Sequence, residues 1–225
     1  WREALPDRVI IAGAHDITSA IDARRGRTDA LLAFHTAHDA VAYHLRLSRE
    51  LPVIAFYLYE AAGGVSYDDA TLRAILTLPN VIGIKVATLD SVPTFERLAA
   101  LVRALPGKLL ITGEDRFLGH TVRSGADAAL IGMGAALPDL QAELLRAASE
   151  SDWDRFTALS SLCDRFANAT FGEPVEGYIQ RMLWAAAADG ALPDDACDDP
   201  WAPPLPPGER TRVIEAVRDA RAARA

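Results

Sequence analysis

The chain has 225 residues, of which 50% are hydrophobic and 24% are charged, a balance typical of a globular protein. Its net charge of −8 at pH 7 argues against a nucleic-acid surface. No apolar run is long enough for a transmembrane helix, and Cys163 and Cys197 have no metal-binding or redox spacing. We therefore predict a cytoplasmic protein without nucleic-acid or membrane partners, while one disulfide between the two cysteines stays open.

Six short apolar runs, bounded by turn residues, predict β-strands. Three amphipathic segments between them, at residues 68–78, 91–105 and 116–124, predict helices. Strands that alternate with helices indicate a parallel sheet with helices outside it, as in a barrel or a doubly wound sheet. The predicted strands cover residues 9–13, 30–34, 52–57, 81–85, 108–112 and 128–131.

The character of the chain changes after the sixth predicted strand. The remaining sequence predicts helices without strands between them, at residues 137–148, 153–169, 175–188 and 209–225. We predict that residues 1–136 form the strands and helices of a barrel. Residues 137–225 are predicted to form a C-terminal helical region packed on that barrel.

A lysine at the end of a buried strand is the most informative single residue. Lys85 follows an apolar run in a chain that has one other lysine, Lys108. Active sites of (β/α)₈ barrels lie where the strands end, and Tyr57 ends the preceding predicted strand. A lysine amine in an apolar site is a nucleophile that forms a Schiff base with a carbonyl, and a tyrosine hydroxyl can carry protons. The residues alone leave a second interpretation open, in which Lys85 reaches solvent at the rim and Tyr57 is core.

The stretches LPVIAFYLYEAAGG, LPNVIGIKVATLD and LLITGED resemble the dihydrodipicolinate synthase / N-acetylneuraminate lyase family of class I Schiff-base aldolases. The resemblance runs from about Val9 to the end of the chain. It implies an α/β fold, a (β/α)₈ TIM barrel with a C-terminal helical extension. The six predicted strands would then be strands 3 to 8, and the first two βα units would be missing before Val9.

The resemblance also implies roles for individual residues. Lys85 would be the Schiff-base lysine and Tyr57, 28 residues before it, the proton relay. Neither a metal nor an organic cofactor is implied, and the assembly would be a homotetramer or homodimer. Tyr59 has a spacing to Lys85 that does not fit the relay and is expected to pack in the wall. The residues expected to bind substrate are Gly113, Ile131, Asp115, Glu60 and Gly64.

Departures from the family pattern bear on the substrate. Ala62 stands where members that make dihydrodipicolinate have an arginine, and Ala87 stands where sialic-acid lyases have a threonine. Both departures argue against those two substrates. Arg116 replaces an acid and can either bind a distal carboxylate or lie in solvent.

The predicted function is a lyase or aldolase that acts on a 2-oxo acid of the pyruvate type through a Lys85 Schiff base, with C–C cleavage or condensation. Two alternatives stay open: a 2-keto-3-deoxy sugar acid dehydratase that uses the same iminium, and a non-catalytic ligand-binding barrel derived from the family. A weaker hypothesis is a phosphate- or flavin-binding barrel that uses Gly132 and Gly134. The weakest is a metal site at His35 and His38.

Overall fold

The computed structural model describes residues 1–36 and 38–224. Within these residues the chain forms two compact units. The first unit contains Trp1–Gly113 and Ser124–Ala129, and the second contains Glu114–Arg123 and the chain from Leu130 onward. The predicted division of the chain after residue 136 stays a prediction.

The first unit is built on a six-stranded parallel sheet whose strands follow one another in chain order. All six predicted strands are confirmed, because short β-branched runs between turn residues suit a strand covered on both faces. The strands are β1 (Ile11–Ala14), β2 (Ala30–Ala33), β3 (Val53–Leu58), β4 (Val81–Ala87), β5 (Leu109–Thr112) and β6 (Ala128–Ala129).

Helices follow the first four strands of this sheet. The predicted helices at residues 68–78 and 91–105 are confirmed as α3 (Asp69–Leu76) and α4 (Val92–Arg103). Two further helices, α1 (Ile17–Arg25) and α2 (Ala40–Leu47), lie outside the predicted set. Helix α1 has a short apolar stripe, Ile17, Ala20 and Ile21, of which only Ala20 is buried, so its sequence pattern is weak.

The sheet has two edge strands within the described part of the chain, since β1 pairs with β2 and β6 pairs with β5. An α/β fold with a parallel sheet and a C-terminal helical part is therefore present, as predicted. Two additional βα units, which an eight-stranded barrel would need, stay a prediction.

The second unit is helical, as predicted. Its longest helix, α7, packs against α6 and α9. In the part of the chain that the structure describes, no helix combines the length and apolarity that crossing a membrane requires. The helices are α5 (Leu118–Arg123), α6 (Pro138–Ser149), α7 (Trp153–Thr170), α8 (Tyr178–Ala188) and α9 (Glu209–Ala222).

A buried histidine on α2 gives the fold a pH dependence. The side chain of His44 is fully buried, and its Nδ1 lies 2.7 Å from the carbonyl oxygen of Ala40. Burial lowers the pKa of His44, whereas the unfolded chain binds the proton with a pKa of about 6.5. Above the unfolded pKa, both states hold His44 neutral and the free energy of unfolding is at its full value. As the pH falls from about 6.5 towards the folded pKa, the unfolded chain takes up a proton that the folded chain does not, so the free energy of unfolding decreases.

We expect the thermal unfolding midpoint to fall between about pH 7.5 and about pH 5.5 because of this histidine. The fall should be smaller in His44→Phe, which keeps a ring of similar size but cannot be protonated. Circular dichroism melts of both proteins at the two pH values measure the difference. Equal falls in the two proteins would contradict this assignment.

Candidate active site

The register of the sheet places Lys85 on one face with apolar neighbours. Phe56 on β3 and Ile111 on β5 are the register partners of Lys85 on β4. Side chains alternate along a strand, and register partners in parallel strands share a face. We call this the Lys85 face. Its strand residues are Ile11, Gly13, Ala30, Leu32, Ile54, Phe56, Leu58, Gly83, Lys85, Ala87, Leu109, Ile111 and Ala128.

Among the strand residues that the structure describes on this face, Lys85 is thus the one with a polar side chain. It is half-buried, and its Nζ lies 4.5 Å from the centroid of the Phe56 ring. A ring face attracts the cationic form of the amine, while the surrounding apolar side chains exclude water from it. The amine is held near the C-terminal end of a strand, where a parallel α/β sheet places its ligands.

Gly113, at the end of β5, leaves room for the lysine. A Cβ at this position would lie 2.7 Å from Cε of Lys85 and 3.0 Å from Cβ of Ala87. The Gly113 amide donates a 2.7 Å hydrogen bond to the Val86 carbonyl, so its backbone is fixed against β4. Gly113 is predicted from the sequence to bind substrate, and the structure brings it into contact with Lys85.

A row of aromatic rings extends from Phe56 on β3 towards β1. The rings of Phe56 and Phe34 meet edge to face with centroids 5.7 Å apart. On the far side of Phe34, His15 stacks at a centroid distance of 4.2 Å. Lys85 therefore lies at one end of a row of three rings, which was not predicted from the sequence. A signal was available, because Phe34 is the last residue of one predicted strand and Phe56 is the next-to-last residue of another.

Tyr57 has a different position from the one that its spacing suggested. Its register partner is Val86, so its side chain lies on the sheet face opposite to Lys85. The ring is buried, and the hydroxyl donates a long hydrogen bond of 3.4 Å to Oγ of Ser66. The structure does not bring Tyr57 to the Lys85 face, and Phe56 stands there instead. A spacing of 28 residues fixes the separation along the chain but not the face, because a shift of one residue exchanges the two faces.

A substitution separates the two possibilities for Tyr57. If the hydroxyl relays protons, Tyr57→Phe should lower turnover by about a hundredfold, the usual contribution of general acid–base catalysis. The register leads us to expect a change below about threefold, since only the bond to Ser66 is lost. Steady-state turnover of any 2-oxo acid substrate measures it, with Tyr59→Phe as the matched control. A hundredfold loss in Tyr57→Phe alone would restore the relay role.

The loop after β3 contains two residues expected to bind substrate. Glu60 is exposed and begins a single 3₁₀ turn, Glu60–Ala62. A Cβ on Gly64 would lie 1.9 Å from the Leu58 carbonyl oxygen, so the loop can close against β3 only with glycine there. The packing requirement accounts for Gly64 without a ligand. Substrate binding by Glu60 and Gly64 stays a prediction.

Asp115 and Ile131, also expected to bind substrate, belong to the second unit. One carboxylate oxygen of Asp115 accepts a 2.6 Å hydrogen bond from the Met133 amide. The Ile131 carbonyl accepts a 3.4 Å bond from the Gly134 amide, within the turn Gly132–Ala135. Because a carboxylate already occupies the start of this turn, it is a poor phosphate site. Burial, and secondly the charge of Asp115, raise the pKa of Tyr178.

The histidines do not assemble a metal site in the residues the structure covers, 1–36 and 38–224. Within them, no group of three or more His, Cys, Asp or Glu side chains is placed to hold a metal ion. Half-buried His35 follows Phe34, with ring centroids 6.4 Å apart. His38 lies in the same connection, where its amide and the Thr36 hydroxyl are 3.3 Å apart.

Comparison with known proteins gives a fold but no close relative. No protein-family model matches the chain, and no curated protein does. Among solved structures, dihydrodipicolinate synthase from Oceanobacillus iheyensis has a TM-score of 0.76 at 18% identity, covering 98% of this chain and 76% of that one. N-acetylneuraminate lyase from Mycoplasma synoviae has a TM-score of 0.72 at 19% identity, covering 97% and 76%.

A third structure is the prophage protein YagE from E. coli K12, which belongs to the dihydrodipicolinic acid synthase family and was solved in complex with pyruvate. Its TM-score is 0.83 at 18% identity, and the alignment covers 97% of this chain and 78% of YagE. The chain therefore has the fold of this group of proteins. The α/β fold with a parallel sheet and a helical C-terminal part, which the sequence resemblance implied, is confirmed, while the first two βα units of an eight-stranded barrel stay a prediction.

Proposed function

We propose that this protein is a class I lyase of the dihydrodipicolinate synthase / N-acetylneuraminate lyase family, which acts on a 2-oxo acid of the pyruvate type through a Schiff base on Lys85. One observation carries the proposal: in the described part of the chain, Lys85 is the single polar side chain that the strands place on an apolar face, near the end of β4. The pyruvate complex of YagE, a protein of the same fold, supports the choice of a 2-oxo acid.

The proposed reaction begins with the lone pair on the amine nitrogen of Lys85. The uncharged Nζ of Lys85 attacks C2 of the 2-oxo acid, and loss of water gives an iminium. In a 4-hydroxy-2-oxo acid the C4 hydroxyl then loses its proton, the C3–C4 bond breaks and its electron pair flows to the iminium nitrogen. An aldehyde leaves, and the remaining enamine takes a proton at C3 and is hydrolysed to pyruvate and free Lys85. Condensation is the reverse sequence.

The surroundings of Lys85 suit the first step. An apolar environment disfavours the charged form of an amine, and the uncharged form is the nucleophile. Once formed, the cationic iminium lies beside the Phe56 ring, which attracts positive charge. Within residues 1–36 and 38–224, the strands place no hydroxyl side chain on the Lys85 face, and we therefore assign the proton transfers to water. This chemistry needs no metal or organic cofactor.

Two alternatives remain as competing proposals. A 2-keto-3-deoxy sugar acid dehydratase would form the same iminium, lose a proton from C3 to give an enamine of the intact chain, and expel the C4 hydroxyl as water, so that all carbons stay in one product. A non-catalytic binding barrel is favoured by a specific observation: Phe56, which has no proton to transfer, faces Lys85. Binding needs no proton relay, whereas turnover is faster with one.

Product analysis distinguishes these proposals. The wild-type protein and Lys85→Arg are incubated with 4-hydroxy-2-oxo acids, and pyruvate, aldehyde and dehydrated products are measured by chromatography. We expect pyruvate and aldehyde in equal amounts from the wild type and none above background from Lys85→Arg. A dehydrated product would favour the dehydratase. Ligand-induced thermal stabilisation without any product would overturn the enzyme proposal in favour of the binding protein.

The resemblance also supports a homotetramer or homodimer, which we propose as the assembly. Sedimentation velocity of the purified protein measures it directly. A monomer at micromolar concentration would contradict this part of the proposal.

A further inference from the structure

Strand β1 forms one edge of the parallel sheet. Within the described part of the chain its strand partner is β2, and no strand lies on its other side. The amide of Phe34, which follows β2, donates a 2.9 Å hydrogen bond to the carbonyl of Ala14. Because the N–H and C=O groups of successive residues point to opposite sides of a strand, those of Ile11 and Gly13 point away from the sheet.

This edge is apolar as well as open. Ile11 is 39% exposed, and Val9, two residues before it, is 77% exposed. Edge strands are usually protected from pairing with other chains by charged side chains or proline, and the sequence of β1, IAGA, contains neither. The other edge strand, β6, has two residues and so offers less backbone for pairing. The edge that is suited to pairing with another strand is therefore β1.

We propose that β1 pairs antiparallel with β1 of a second copy of this chain, across a twofold axis at Ala12. A twofold dimer uses the same surface on both copies, so the strand must be complementary to itself. In an antiparallel pair, hydrogen bonds join opposite residues whose backbone groups point towards each other. A register that places Ile11 opposite the partner's Gly13 meets this condition on both strands. This inference goes beyond the proposed function and does not depend on Lys85.

The same register suits the side chains. Ile11 and Gly13 belong to the Lys85 face, so Ile11 of one copy lies across the partner's Gly13, which has no side chain to obstruct it. A Cβ on Gly13 would lie 3.1 Å from the ring of Phe34, so Ile11 gains an apolar neighbour there. At the axis Ala12 meets the partner's Ala12, and these small side chains let the two strands approach closely.

Charges that flank β1 are complementary in this register. Arg8 is four residues before Ala12 and Asp16 is four residues after it, so each Arg8 lies opposite the partner's Asp16. Both residues are exposed, and the backbone of Asp16 is extended, with φ of −157° and ψ of 179°. Opposite charges that face each other across antiparallel strands stabilise the pairing. A shift by two residues would place Arg8 opposite Ala14 or Thr18 instead.

Sedimentation velocity of the full chain at micromolar concentration tests the surface. We expect the wild type to form dimers and Ile11→Lys to raise the dimer dissociation constant by at least about tenfold, because it brings like charges to an edge that loses apolar contact. The matched control is Ile179→Lys, which changes an isoleucine of α8 that is 47% exposed. This control should leave the dissociation constant unchanged.

Charge reversal tests the register itself. Arg8→Asp and Asp16→Arg each place like charges opposite each other, and each should weaken dimerisation by about tenfold at low salt. An equimolar mixture of the two variants has opposite charges at both pairs and should dimerise about as well as the wild type. A local effect of either substitution on its own chain would not be reversed by mixing.

Three results would overturn the inference. A monomeric wild type would leave this edge to the two additional βα units of the predicted barrel. A dimer that Ile11→Lys does not weaken, or that Ile179→Lys weakens equally, would use another surface. Charge variants that do not recover on mixing would contradict the register. If Ile11→Lys does not fold, as judged by circular dichroism, the mixing experiment decides. Trapping of pyruvate on Lys85 is measured separately, so failure of the dimer leaves the proposed function intact.

Discussion

Gly113→Ala is expected to slow Schiff-base formation by about a hundredfold, the cost of displacing a reacting group by roughly 1 Å. The new Cβ would lie 2.7 Å from Cε of Lys85 and 3.1 Å from the Val86 carbonyl oxygen. The backbone at Gly113 cannot retreat, because its amide is bonded to that carbonyl. The lysine stem must therefore move, and Nζ moves with it. The rate of borohydride-trapped adduct formation with pyruvate, followed by intact mass, measures the effect.

Gly26→Ala is the matched control for this substitution. Gly26 ends α1 with a φ of −70°, and an added Cβ would meet its nearest atoms at an ordinary 3.4 Å. It should fold and trap pyruvate at the wild-type rate. A wild-type trapping rate in Gly113→Ala would mean that Lys85 does not need the space beside Gly113, contrary to the proposed site.

Arg181→Met is expected to destabilise the second unit by about 3–5 kcal/mol, the usual cost of breaking a buried ion pair. Arg181 on α8 is fully buried, and its Nε donates a 2.5 Å hydrogen bond to the Glu209 carboxylate. Its guanidinium also donates to the carbonyls of Gly172, Glu173 and Pro174. Methionine leaves a buried carboxylate and three carbonyls without these donors. Urea unfolding followed by tryptophan fluorescence measures the loss.

Arg210→Met provides the comparison, because Arg210 pairs with Asp194 at 2.7 Å on the surface, where the two side chains are 44% and 83% exposed. Solvent weakens such a pair, so a much smaller change is expected. Adding Glu209→Gln to Arg181→Met should recover part of the loss, because it removes a buried carboxylate whose remaining ion-pair partner is the half-exposed Arg212, 2.7 Å away. Equal effects of Arg181→Met and Arg210→Met would contradict a structural role for the buried pair.

Much of the first unit could be predicted from the sequence. Short apolar runs between turn residues identified every strand of the sheet, and Lys85 drew attention because the chain has one other lysine. Helix α1 was missed, since only Ala20 of its nine residues is buried and its N-terminus is set by local capping from Asp16 and Ser19. The Arg181–Glu209 pair could not be predicted either, because an arginine on a helix is normally solvated and its partner is 28 residues away.

The candidate site illustrates a narrower limit. Phe56 and Tyr57 are the last two residues of the third predicted strand. The spacing to Lys85 favoured Tyr57 as the residue beside the lysine. The β3–β4 register decides whether Phe56 or Tyr57 lies on the same side of the sheet as Lys85, because a shift of one residue exchanges them. That register includes an irregularity between Val53 and Ile54. Sequence spacing does not determine where such a shift occurs. The aromatic row therefore became visible only in the folded sheet.

The central claim is that Lys85 forms the Schiff base, and a single-lysine chain tests it most directly. Lys108→Arg removes the other lysine, whose Nζ donates to the Val81 carbonyl, and leaves Lys85 as the remaining lysine of the chain. The variant is incubated with pyruvate, reduced with borohydride and digested for peptide mass spectrometry. We predict one reduced pyruvate on the peptide containing Lys85, and none when Lys85→Arg is added. A folded variant that carries no adduct, or carries it only on the N-terminal amine, would contradict the account.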